Sequence, residues 1–119
     1  MSLIDPTQSV LEAAMSGAMQ RQTVLTGDLA NADTPNFEPS DVDFQDQLAA
    51  AINAGDSPSQ LQNLTYTSTT SSGMVSPDGN GVDSDQVSAD LAENGLEYQA
   101  LAEVLAAHNS ILQYAMGTG

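Results

Sequence analysis

The 119-residue chain has no cysteine, no lysine and no tryptophan, and Arg21 is its one strong base. Without cysteine there is no disulfide framework and no thiolate chemistry. Sixteen acids against that single base give a net charge of -15. Nucleic-acid phosphates require Lys and Arg, so nucleic-acid binding is excluded. An anionic membrane surface is disfavoured for the same reason, and no direct lipid binding is expected. No apolar run approaches the roughly 20 residues of a spanning helix. Met1 to Val10 has neither a basic stretch nor a continuous apolar one. A Sec-type signal is therefore not expected, and the protein either stays in the cytoplasm or leaves by a route without one. The aromatics are Phe37, Phe44, Tyr66, Tyr98 and Tyr114, and much of the 40% hydrophobic fraction is alanine. At roughly 25 cal/mol per Å² an alanine-rich helix pair is marginal alone, which predicts a subunit that gains order on assembly.

Self-repulsion at this charge density opposes assembly at low salt and fades as the Debye length shortens. Two explanations fit the acidity: a salt-rich source, or a locally acidic outer surface.

What is present is a pair of seams. Val87, Leu91, Asn94, Tyr98, Leu101, Leu105, His108, Leu112 and Ala115 recur in steps of four and three, and seven of the nine are apolar. That is the heptad pattern of a helix lying along another helix. At 1.5 Å per residue it runs about 43 Å, longer than a small domain is wide. The other end of the chain supplies a partner: Leu11, Met15, Ala18, Gln22, Leu25, Leu29 and Ala32 follow the same spacing. Asp5-Pro6-Thr7-Gln8 starts this helix, with Asp5 as N-cap and Pro6 at the first helical position. Gly17 and Gly27 weaken it by about 1 kcal/mol each and allow close backbone approach. Asn31 and the Thr34-Pro35 pair end it.

Residues 33–40 read as turn and extended chain. A short helix is predicted over 41–54, capped by Ser40 or Asp43, with Phe44, Leu48, Ala51 and Ile52 on one face and Gly55 as its stop. Ser57-Pro58-Ser59 reads as a linker, Leu61 to Thr67 as a short strand, and Ser68 to Gly73 as a Ser/Thr-rich loop. Pro77-Asp78-Gly79-Asn80-Gly81 is a dense turn signal. Asp83 and Gln86 start the C-terminal helix, and Gly117 is expected to end it. The fold class is thus mainly α: long terminal helices (5–32 and 83–116) paired as an antiparallel, coiled-coil-like hairpin within one domain spanning 1–119, with a short middle helix and irregular or short-strand loops.

Candidate chemistry is thin. His108 is the one histidine, and metal or base chemistry needs converging partners that the pattern does not offer. It reads as a polar seam residue, as do Asn94 and Gln22, which specify register at some cost in stability. Asp78 to Asp85 resembles a calcium loop, but Val82, Asp83 and Ala89 fall where such a loop needs an oxygen ligand, Gly and Glu. Asp41, Asp43 and Asp46 complement a helix dipole without catalysis. There is no nucleophile elbow and no phosphate-loop lysine. Neither an enzyme nor a cofactor is expected.

One resemblance gathers these features. Arg21-Gln22-Thr23-Val24-Leu25-Thr26-Gly27-Asp28-Leu29-Ala30-Asn31-Ala32-Asp33-Thr34-Pro35-Asn36-Phe37 resembles the N-terminal signature of bacterial flagellar rod and hook proteins. In those proteins a Gln- and Leu-rich helix runs into an Ala-Asn-Ala-Asp-Thr-Pro-Gly-Tyr type of turn. Here Asn36-Phe37 replaces Gly-Tyr; Asn tolerates positive φ as Gly does, and Phe keeps the ring. Asp41-Val42-Asp43-Phe44, Asp78-Gly79-Asn80-Gly81-Val82-Asp83 and Asn94-Gly95-Leu96-Glu97-Tyr98-Gln99 are similar, in that order, to motifs of the proximal-rod members. Only residues 56–76 lie outside the likeness.

The resemblance implies a structural subunit of the flagellar basal body, exported unfolded through the flagellar type III gate without a cleaved signal. It would polymerise through its terminal helices, within a homo-oligomeric ring, and join the membrane ring and export gate to the more distal rod. Its partners would be other rod subunits and the ring and gate components. The implied contact residues are Leu11, Met15, Gln22, Leu25 and Leu29 of the first seam, Asn31, Asp33, Pro35 and Phe37 of the turn, and Leu91, Asn94, Tyr98, Leu101, Leu105, His108 and Leu112 of the second seam. The reading from a different class is a small acidic helical adaptor for a basic partner.

Overall fold

The computed structural model describes residues 6–70 and 75–118. In chain order the elements are α1 (Pro6–Ala30), β1 (Ser40–Asp41), α2 (Phe44–Asn53), α3 (Pro58–Gln62), β2 (Thr69–Thr70) and α4 (Ser84–Thr118). The two long helices run antiparallel. Val87 lies near Leu25 and Asp28, Asn94 and Tyr98 near Ala18 and Gln22, and Leu101 near Ala14, so ascending α4 descends α1. The 35 residues of α4 span about 52 Å at 1.5 Å each. They set the long axis of a slab measuring 65 × 27 × 15 Å.

The small residues Ala13, Gly17 and Ala18 are needed in α1 because it is covered on more than one side. One face meets α4. On the other, α2 and α3 pack by Ala13 and Gly17, and β1 lies by Arg21 and Asp28. The core is built there from Ala13, Ala18, Val42, Phe44, Leu48, Ala51, Leu61 and Tyr66. Phe44 and Tyr66 meet edge to face, with centroids 6.2 Å apart and planes at 86°, a favoured aromatic geometry. The buried Tyr66 hydroxyl donates to the Ala13 carbonyl at 2.7 Å, and Gln20 Nε2 donates to the Tyr66 carbonyl at 2.7 Å. These two bonds tie the middle of the chain to α1.

Several local expectations change. The Asp5 cap lies outside the described residues. The middle helix starts at Phe44 rather than 41, with Asp43 as its N-cap accepting from Asp46 N, because Ser40 and Asp41 are drawn into a strand. Gly55, at φ +83, ends it as expected. Ser57-Pro58-Ser59 is no linker. Ser57 and Gln60 form a complete capping box with Pro58 in the first turn, so the segment opens α3. That helix takes Leu61 and Gln62, and Leu61 to Thr67 forms no strand. The pairing falls later, with Thr70 opposite Ser40 and Thr69 opposite Asp41, antiparallel. Asp83 caps α4 by accepting from Gln86 N at 3.2 Å, but the Gln86 side chain turns to Asp90 instead of closing the box. Gly117 does not stop α4, which continues to Thr118. A helical glycine costs about 1 kcal/mol but leaves the backbone bond in place.

Candidate subunit-contact surface

The expected contact residues fall into two groups. The first is the turn after α1. Asn31 ends the helix by donating from Nδ2 to the Gly27 carbonyl at 2.8 Å, and its Oδ1 accepts from Thr34 Oγ1 at 3.1 Å. Asn36 has φ +62, the left-handed region that Asn tolerates as Gly does. Against this turn sits the second turn signal, 76–82. Asn80 is 3% exposed. Its Nδ2 donates to the Asn31 carbonyl at 2.8 Å and the Thr34 carbonyl at 2.5 Å, and its Oδ1 accepts from Val82 N at 2.8 Å. Asn36 N donates to the Asp78 carbonyl at 3.1 Å, and Gly81 N donates to the Phe37 carbonyl at 3.0 Å. Gly79, at φ +81, adopts a conformation that strains residues with a Cβ, and a Cβ there would also displace the Asn36 side chain, whose Oδ1 would lie 2.2 Å away. Two turns more than forty residues apart are thus one clasp, with Asn80 as its pin. Asp33 and Pro35 stand exposed on it and Phe37 is half-buried. Asn80 was read from the sequence as part of a turn signal. Its role rests on a long-range partner that no local pattern announces.

The second group is the pair of seams. Leu25 is 2% exposed and Asn94 1%, while Leu11, Met15, Gln22, Leu29, Leu91, Tyr98, Leu101, Leu105, His108 and Leu112 are half-buried. The polar members of opposite seams meet. Asn94 Nδ2 donates to the Ala18 carbonyl at 2.8 Å and to Gln22 Oε1 at 3.0 Å, while the buried Asn94 Oδ1 has no partner. The seams therefore bury their faces within the chain first.

Charge is arranged around the one arginine. Arg21 grips Asp41 through Nε–Oδ1 at 2.8 Å and Nη2–Oδ2 at 3.2 Å, a bidentate pair binding β1 to α1. The Asp41 hydrogen bond is the main influence raising the Arg21 pKa, and Asp90 and Glu93 add to it. Asp28 is 4% exposed, and both its oxygens accept from Ser40 N at 3.2 Å. Burial raises its carboxyl above the usual range, and nearby Asp41 pushes the same way.

No family model matches the chain. Comparison with curated proteins is informative. The flagellar basal body rod protein FlgB of Bacillus subtilis (strain 168) is 37% identical over 112 residues, covering 87% of each chain. The protein of the same name from Escherichia coli (strain K12) is 31% identical over 113 residues, covering 81% of this chain and 82% of its own. That of Salmonella typhimurium is 30% identical over 119 residues, with 86% of each covered.

The chain belongs to the FlgB family of flagellar basal body rod proteins.

Placed on this structure, the FlgB-like motifs occupy the clasp (31–37 and 78–83), the start of α2 (41–44) and the middle of α4 (94–99). The sequence reading missed a further surface. Leu96, Val104 and Ile111 are 69%, 52% and 66% exposed, on the face of α4 turned away from α1. They escaped notice because the stronger seam on the same helix claimed the heptad pattern. Among the described residues, no group of three or more His, Asp or Glu is placed to hold a metal ion. No helix there is long and apolar enough to cross a membrane.

Proposed function

We propose that this chain is a structural subunit of the proximal flagellar rod, the whole chain acting as one unit that polymerises through its terminal helices. It joins the membrane ring and export gate to the rod beyond, with other rod subunits as neighbours, and reaches the basal body without a cleaved signal. The observation that carries this reading is the antiparallel α1–α4 pair bearing rod-protein motifs on both helices and on the clasp that joins them. A thin, alanine-rich slab with apolar side chains left exposed at Leu96, Val104 and Ile111 is a subunit built to be covered by neighbours.

The test is a strain deleted for this gene, scored for swimming and for basal bodies by electron microscopy. Loss of the rod with the membrane ring retained is the expected result. Intact basal bodies and normal swimming would overturn the proposal and leave the acidic adaptor, whose mark is a monomer that binds a basic target without assembling.

A further inference from the structure

We infer that copies of this chain join by a heterologous contact in which the outer face of α4 in one copy fills a groove between α2 and α4 in the next. The inference rests on the rod-subunit reading and names the surfaces that reading leaves open.

The knob is an outward stripe. Leu96, Ala100, Val104, Ala107 and Ile111 recur at heptad-like spacing on the face of α4 opposite the α1 seam. The hole is a groove of about 270 Å³ lined by Ala14, Phe44, Leu48, Ala49, Ile52 and Leu101. Ile52 at its mouth is 43% exposed, so the groove opens to the surface. Both features are predominantly apolar, and among the described residues none fills either.

Charge selects a second copy as the occupant. Fifteen of the sixteen acids precede Gln99, Glu103 is the last, and residues 104–119 carry none. The Ile111 part of α4 is therefore where a chain of net charge -15 approaches its own copy without setting carboxylate against carboxylate. At the groove, the rim acid Glu97 is already engaged, accepting from the Gln45 side-chain amide. Stripe against stripe is the weaker arrangement, because it brings Glu103 of each copy toward the other. A knob and a hole at different places on one surface make a contact that propagates instead of closing as a dimer.

The absence of cysteine gives a clean background for the test. Ile111 lies ten residues beyond Leu101, about 15 Å along the helix, too far from Ile52 for a disulfide within one copy. A strain carrying Ile52→Cys/Ile111→Cys as its sole copy is oxidised, and basal bodies are run on non-reducing gels. The expected result is a ladder of cross-linked species that collapses on reduction, with each single variant staying monomeric. A dimer from Ile111→Cys alone, as strong as the ladder, overturns the knob-and-hole contact in favour of stripe on stripe. Intact basal bodies that give no cross-link overturn it as well. Because the deletion strain reports independently on whether the chain builds the rod, failure of the contact is distinguishable from failure of the rod reading. If the cysteines themselves prevent assembly, Ile111→Asp at this exposed site gives the second readout: unchanged circular dichroism with swimming lost is expected, and unchanged swimming refutes the contact.

Discussion

The sharpest test of the fold is a pair of identical substitutions with opposite signs. Gly17 and Gly27 both lie within α1, where replacing Gly by Ala ordinarily stabilises by about 1 kcal/mol. At Gly27 a methyl would meet nothing within 4 Å, so Gly27→Ala should gain that amount. At Gly17 the new Cβ would lie 2.5 Å from Phe44 Cβ and 2.7 Å from Cγ. Carbon atoms pack best about 3.5–4.0 Å apart, so the ring has to retreat by roughly 1 Å. The nearest atom is the Phe44 Cβ, which no rotamer change moves, so the backbone of α2 has to shift with it. Phe44 is 3% exposed, Val42 two residues before it is 1% exposed, and Asp41 is held by Arg21. Overpacking of this kind costs about 3 kcal/mol at the upper end, leaving Gly17→Ala net destabilised by about 2 kcal/mol. At roughly 4 °C per kcal/mol for a chain of this size, the two variants should melt about 12 °C apart, on either side of the wild type, by circular dichroism. The loss should shrink when Phe44 is also changed to Leu, which measures the coupling directly. A Gly17→Ala protein that melts at or above the wild type would falsify the close packing of α2 on α1.

The remaining predictions address polar and charged groups and the seam. Asn94→Ala removes both seam hydrogen bonds and leaves a small void, so it should cost about 2–3 kcal/mol in urea denaturation; a change under 0.5 kcal/mol means the polar pair does not hold the register. Asp28, raised by burial, adds stability as pH falls through its folded pKa and loses it again as pH rises. Asp28→Asn keeps an oxygen for Ser40 N and should flatten the change in melting temperature between about pH 7 and pH 4; an unaltered slope rejects the assignment. Asp78 has the opposite sign, because the Ser76 hydroxyl and Asn80 N–H hold its carboxyl low, so its contribution is lost on acidification. Raising NaCl from about 0.1 to 1 M shortens the Debye length from about 10 to 3 Å and should raise the melting temperature; no gain removes self-repulsion as a destabilising force. Leu101→Asp puts a charge into the half-buried seam beside Ala14 and should cost several kcal/mol and abolish swimming; normal swimming means this seam position is not a packing site.

The legible part of this protein was its periodicity and its turn chemistry. Two heptad seams announced the hairpin, and Thr34-Pro35 with Asn36 announced the break after α1, because those signals are local and set by sterics. Gly17 was read as a site of close approach and is one; Gly27 was read the same way and is open, because spacing along a helix does not say which side a second layer will cover. The Leu61 to Thr67 segment departs from the expected strand for a different reason. Its β-favouring residues point to a strand, but the Ser57–Gln60 capping box upstream commits the chain to a helical turn. Asn80 stayed hidden because its acceptors, the Asn31 and Thr34 carbonyls, are more than forty residues away.

The acidity, which looked like an obstacle to assembly, becomes a constraint on how assembly occurs. An interface between like copies that relied on ion pairs needs bases, and the chain has one. That base is committed internally, joining α1 to β1 through Asp41. Drawing Arg21 into an intersubunit pair would strip Asp41 of its partner, so nothing is gained. A contact between copies would therefore have to be apolar or neutral, and acid-free apolar surface is found toward the end of α4. The acid-rich end, with the clasp and the start of α4, presents its carboxylates to solvent and counter-ions. In the proposed contact the acid-free end of α4 in one copy enters the α2–α4 groove of the next, where the rim acid Glu97 already accepts from Gln45.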